Sequence, residues 1–254
     1  MKRGHRMLAL AVAACLVAAG AARADTLPYQ DPTLPTSQRV ADLLSRMTLE
    51  EKVGQMTQTE RYQVYNDATP VTTWHLGGLL SGGGSVPTPN TPQAWADMID
   101  RFQRAALATR LHIPIIYGID SVHGDGNMYG ATVFPHNIGL GATRDPALVA
   151  QVEHVTASET RASGPQWTFA PCICAARDDR WGRTYESFGE DPALVTEMET
   201  AIDGFQGPPG HLSDPDRVLA TAKHFAGDGD TTYGTATGDY KIDQGIAVTN
   251  HPDF

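Results

Sequence analysis

The sequence predicts an α/β fold with a parallel sheet, and three observations predict it. Short apolar runs alternate with segments of helical, amphipathic period. The connections that follow the runs are long, as right-handed strand–helix–strand units require. Charged side chains stand where three of the runs end, and in parallel α/β folds the strand ends open on one face.

The elements follow in order. Asp25 to Pro35 is an extended, proline-containing lead, and Ser37 to Arg46 reads as a helix carrying Val40, Leu43 and Leu44. Thr48-Leu-Glu-Glu51 is a capping box for the next helix, with Val53 and Met56 as its apolar positions. Gly77-Gly-Leu-Leu-Ser-Gly82 is expected as the first strand, and Gly82 to Pro92 as a surface loop. Thr91-Pro92 opens a helix to Arg110, with proline at its first position. Ile113 to Tyr117 is the second strand. Asp145-Pro146 caps a helix to Ala162, which Gly164 ends, and Trp167 to Ala170 is the third strand. Asp191-Pro192 caps a helix ending near Gly204 or Gly207, and Val218 to Phe225 is the fourth strand. Four such units are visible, whereas a closed barrel of eight takes about 250 residues. The chain stops at His251-Pro-Asp-Phe254 without the helix that would complete a unit, so a longer protein is expected.

Residues 1–24 read as an export signal, leaving 25–254 as one incomplete domain. Lys2, Arg3 and Arg6 precede the apolar run Met7 to Ala19, and Ala22-Arg23-Ala24 supplies a small-residue cleavage pattern. The run is short of the roughly 20 apolar residues of a membrane span. The expected location is periplasmic or secreted, with lipid attachment at Cys15 as an alternative. The formal charge of −10 becomes −14 without the four basic groups of the signal, Lys2, Arg3, Arg6 and Arg23. Such acidity speaks against nucleic acid or anionic membrane and suits a neutral ligand. Cys172 and Cys174 are expected as two small buried residues, because they are too close in sequence for an easy bridge when the segment is extended.

Three motifs carry the chemistry. They are Tyr117-Gly-Ile-Asp-Ser-Val-His-Gly-Asp-Gly-Asn127, then Ala170-Pro-Cys172 with Arg177-Asp-Asp-Arg-Trp-Gly-Arg-Thr-Tyr-Glu-Ser187, then Ala222-Lys-His-Phe-Ala-Gly-Asp-Gly229. Taken alone, Asp120 is either a carboxylate gripping two sugar hydroxyls or one that caps a turn or pairs with a structural arginine. Arg183 is either a ligand-binding donor or one half of a surface ion pair with Glu186 or Glu190. Trp181 is expected to pack under its loop, and Arg180 to be structural. Lys223 and His224 are neighbours, and neighbouring strand residues point to opposite faces. For both to reach one ligand the backbone must twist, bulge or take a rare peptide geometry. His123, Asp125, His136, Asp228 and Asp230 lack a recognised metal-ligand spacing, so no metal and no cofactor is expected.

Together the motifs resemble the N-terminal barrel domain of family 3 glycoside hydrolases, from about Leu43 to about Asp230. The resemblance implies a partial (β/α)8 TIM-type barrel, the first half to two-thirds of that domain. It also implies that Asp120, Arg183, Lys223 and His224 bind the sugar of the −1 subsite. His123 and Asp228 are expected at the pocket edge or behind the binding residues. The family usually has proline where Asp179 stands. Its nucleophile, in a Ser-Asp-Trp-like motif, and its acid/base have no match here, so no catalytic residue is assigned within this chain. The activity implied for the full-length protein is release of glucose from β-glucosides or β-gluco-oligosaccharides, with retention. A rival is the β-N-acetylglucosaminidase branch, from whose glycine-histidine-glycine loop Gly227-Asp-Gly-Asp230 departs. The other is a non-catalytic sugar-binding remnant.

Overall fold

Helix starts are fixed locally. In the computed structural model, which describes residues 27–225, 227–236, 241–242 and 245–246, each expected cap from Thr48 onward is formed. The expected signal, residues 1–24, lies outside the described residues. The chain divides into two units, Met1–Arg46 and Met47–Phe254.

In the first unit, helix α1 (Thr36–Arg46) carries an Asp42–Arg46 pair one turn apart, and Asp42 accepts from the Tyr29 N–H at 3.2 Å.

The second unit holds the rest. The Thr48 side chain accepts from Glu51 N and the Glu51 carboxylate from Thr48 N, opening α2 (Leu49–Gln55) with a reciprocal capping box. Then come β1 (Gln58–Glu60), α3 (Thr69–Thr73), β2 (Gly78–Ser81) and α4 (Pro92–Leu107), which Thr91 caps. Strand β3 (Ile116–Ile119) leads to α5 (Asn137–Ala142) and α6 (Pro146–Ser163), which Asp145 caps. Strand β4 (Trp167–Thr168) precedes α7 (Pro192–Glu197), capped by Asp191, and α8 (Thr200–Gln206).

The strands lie in space as in sequence, β1-β2-β3-β4, every pair parallel. Beyond β4, Leu219 bridges Trp167 and Lys223 bridges Cys172, both parallel. This is the α/β architecture of a partial (β/α)8 barrel, not closed among the described residues.

Three expectations need correction. The run at Gly78–Ser81 is the second strand, because polar Gln58–Glu60 pairs ahead of it. The expected strand from Val218 to Phe225 is two separate bridges; opposite it stands Pro171, which has no N–H and serves only as acceptor for Lys223 N. The helix from Asp191 breaks into α7 and α8 around Met198 and Glu199.

The core between sheet and helices is built on Leu79, Tyr117 and Ile119 against Trp95, Ile99 and Phe102 of α4. A second cluster joins Leu140, Val149 and Val152 to Leu194, Val195 and Met198. Helices α6 and α8 approach closely at Gly204, where a Cβ would stand 2.6 Å from the Ala150 carbonyl oxygen and 2.8 Å from the Glu153 Cβ. Glu153 is fully buried there, and neither carboxylate oxygen finds a hydrogen bond among the described residues. Burial raises its pKa well above the ordinary value. Thr156 opposes this without overcoming it, and its hydroxyl donates to the Val152 carbonyl at 3.0 Å. Among the described residues no helix is long and apolar enough to cross a membrane.

Candidate functional site

Asp120 follows the last residue of β3, and Arg183 stands in the long connection after β4, where Trp181 packs buried beneath the loop. Lys223 lies where the chain bridges Cys172. All three therefore sit past strand C-termini, and all three line one cavity of about 340 Å³. Gly83, Val122, His123, His136, Asn137, Tyr185 and Glu186 complete its wall.

Arg183 donates from Nε and Nη2 to the two Glu186 carboxylate oxygens at 2.7 and 2.8 Å. Its Nη2 is also 3.3 Å from His224 Nε2, which ties the fourth expected residue to the cavity. Asp228 stands behind His224, accepting from its backbone N–H at 3.0 Å and hydrogen-bonding its Nδ1. The Lys223–His224 peptide bond is cis, the rare geometry expected there, and both side chains reach the Arg183–Glu186 pair.

Part of the lining is aromatic. The His123 ring lies 4.2 Å from His136, and His136 meets Tyr185 edge-on at 4.7 Å. His123 Nδ1 is 2.7 Å from the Phe134 carbonyl, and burial lowers the His123 pKa.

The charges shape one another. Burial raises the Asp120 pKa, and the Lys223 charge opposes it without overcoming it. Burial likewise lowers Lys223, against the pull of Asp120 and Glu186. For Glu186 burial works upward, yet the Arg183 hydrogen bonds and the charges of Arg183, Lys223 and His224 outweigh it and hold the carboxyl below its usual value.

Some expectations fall elsewhere. Asp125 is buried outside the cavity lining and takes hydrogen bonds from Ser121 and Ser163 at 3.1 and 3.4 Å. Arg180 pairs with Asp178 and lies 3.9 Å over the Tyr233 ring. Cys172 and Cys174 form a disulfide, contrary to the expectation of two unbridged thiols. Their Cα atoms are 5.4 Å apart, nearer than the roughly 6.6–7.2 Å that two extended residues span, so the segment is bent enough to close the bridge. Cys172, His224 and Asp228 bring potential metal-ligating atoms within 4.8 Å of one another. The Cys172 sulfur is committed to the disulfide, and the remaining imidazole and carboxylate bond each other, so this group does not fit a cation. Sequence reasoning missed Glu186, Asn137, His136 and Tyr185 as parts of one wall. The available signal was the spacing of Glu186, three residues after Arg183 in one tight turn.

A cavity of opposed charges lies past the strand C-termini of a partial parallel barrel, the face on which folds of this class build their sites from loops. The profile of the glycosyl hydrolase family 3 N-terminal domain matches residues 48–248, and the chain belongs to that family. It is 36% identical over 216 residues to a lysosomal beta glucosidase of Dictyostelium discoideum, covering 77% of this chain and 26% of that protein. It is 35% identical over 212 residues to a periplasmic beta-glucosidase of Salmonella typhimurium, covering 81% and 25%. Among solved structures it resembles the exo-1,3/1,4-beta-glucanase of a Pseudoalteromonas species, with TM-score 0.72, 42% identity and coverage of 76% and 25%. The chain spans about a quarter of the length of these relatives.

Proposed function

We propose that the whole protein is an exported, retaining β-glucosidase or β-glucan exohydrolase, and that this chain carries its −1 sugar subsite. The observation that carries the reading is the gathering of Asp120, Arg183 and Lys223, with His224 behind them, around one cavity at the strand ends. A pyranose presents hydroxyls that both give and take hydrogen bonds. Asp120 would accept from two of them, while Lys223 and Arg183 donate, and bonds to charged groups are the stronger kind. Retaining hydrolysis then needs a carboxylate nucleophile and a second carboxylic acid that protonates the leaving oxygen. We assign neither within this chain. Export is supported by the residue 1–24 pattern and by the periplasmic relative.

Calorimetric titration of the chain with D-glucose and with N-acetylglucosamine tests the reading. Saturable glucose binding is expected, weakened about tenfold or more by Asp120→Asn or Lys223→Met, each of which loses a charged hydrogen bond. Preference for N-acetylglucosamine would move the protein to the other branch of the family, and binding of neither sugar would sink the subsite. For the whole protein, release of aryl alcohol from aryl β-glucosides is the matching assay.

A further inference from the structure

The Arg183–Glu186 pair does not behave as a surface ion pair. Arg183 directly precedes the 3-10 turn Thr184–Glu186, and in that tight helix side chains three apart eclipse. The two side chains are therefore stacked by the backbone before any charge acts. Glu186 is itself anchored: its N–H donates to the Arg183 carbonyl at 2.9 Å, and its carbonyl accepts from Asn137 Nδ2 at 3.0 Å. Asn137 is buried, so the anchor belongs to the packed interior. The Glu186 side chain is 14% exposed, and its Oε2 lies 4.0 Å from Lys223 Nζ.

We propose that Glu186 is a positioning residue of the pocket, holding the Arg183 guanidinium in one orientation and balancing charge between Asp120 and Lys223. The inference rests on the sugar-subsite reading for its ligand and on geometry for everything else. A guanidinium held by two parallel bonds keeps its plane, which a single flexible contact does not secure. The charged groups facing Glu186 are Arg183 of its own turn, Asp120 after β3, and Lys223 and His224 of the bridged segment. His123 faces it as well, while Asp228 acts through His224 and Lys223. The negative charge of Glu186 raises the titration of both Asp120 and Lys223. Neutralising it moves both in the same direction, to lower pH. A residue that only held the loop would not do that.

The test is Glu186→Gln in the full chain, with Asp120 and Lys223 titrated by carbon NMR and glucose affinity measured across pH. Both titrations are expected to fall, both limbs of the affinity profile to move acidward, and affinity to drop about tenfold through the loosened Arg183 contact. Glu186→Asp keeps the charge on a shorter arm. It is expected to leave the two titrations near wild type while still weakening glucose, which separates charge from positioning and serves if the glutamine variant folds poorly. Unchanged titrations in a folded Glu186→Gln protein overturn the inference, as does glucose binding equal to wild type at every pH. If the wild type binds no glucose, the subsite reading fails by itself. The two titrations and the Arg183 Nε–H resonance, expected to lose its bonded shift, then still decide the inference.

Discussion

Glu186 at the strand-end mouth and Glu153 between α6 and α8 are both acids taken out of water, and their environments treat them in opposite ways. For each, burial is the largest influence and pushes the pKa up. At the mouth, two bonds from Arg183 and the nearby Lys223 reverse that push, and Glu186 stays charged. Between the helices no hydrogen bond to a cation answers among the described residues, and burial holds the Glu153 pKa well above the ordinary carboxyl range. Depth sets the size of the desolvation cost, and the counter-charge decides the sign of the outcome. At the mouth Arg183 keeps Glu186 charged, while the helix layer favours the neutral form of Glu153.

The largest expected effect comes from the helix layer. The folded-state pKa of Glu153 is raised, so its folded form binds the extra proton. Stability from this group is complete below its ordinary value of 4.5 and is lost as pH rises toward the raised pKa. Within that window unfolding free energy falls by up to about 1.4 kcal/mol per pH unit. Glu153→Gln removes the titration and keeps the shape. Melting temperatures measured from pH 4 to 8 are expected to be flatter in the variant and higher than wild type at the alkaline end. Parallel curves would break the contrast.

A smaller effect is expected at the mouth. Arg183→Ala leaves Glu186 half-buried without its two donors, and chemical denaturation is expected to show a loss of about 2 kcal/mol, below the range for a fully buried pair. The Glu186 titration should rise, making it resemble Glu153. The smallest change is a control: Thr48→Ala removes one half of the α2 capping box and costs about 1 kcal/mol in the same measurement. Its effect on the titrations of Glu153 and Glu186 is expected to be nil.

What was legible in the sequence was whatever the chain decides locally. Thr48, Thr91, Asp145 and Asp191 each cap a helix with a side chain two or three residues from its target, so neither tertiary packing nor a partner strand was needed to see them. Strand β1 was hidden because Gln58, Thr59 and Glu60 show no apolar alternation; only pairing with β2 makes them a strand. Asp120, Arg183 and Lys223 could be expected together because each closes a strand or its loop on the same face. Glu186 was visible as a partner of Arg183 and not as a wall of the cavity, since its orientation depends on a tight turn anchored by distant Asn137. The Cys172–Cys174 bridge depends on a bend that residue types alone do not announce. The burial of Glu153 depends on Gly204 admitting a second helix against it.

The neighbour order of the sheet has a bearing on biosynthesis. Because each strand from β2 to β4 lies beside the one made just before it, none of these four must be threaded between strands already in place. Each newly translated unit can dock on a ready template as it leaves the ribosome, and the nascent polypeptide grows its barrel wall stave by stave.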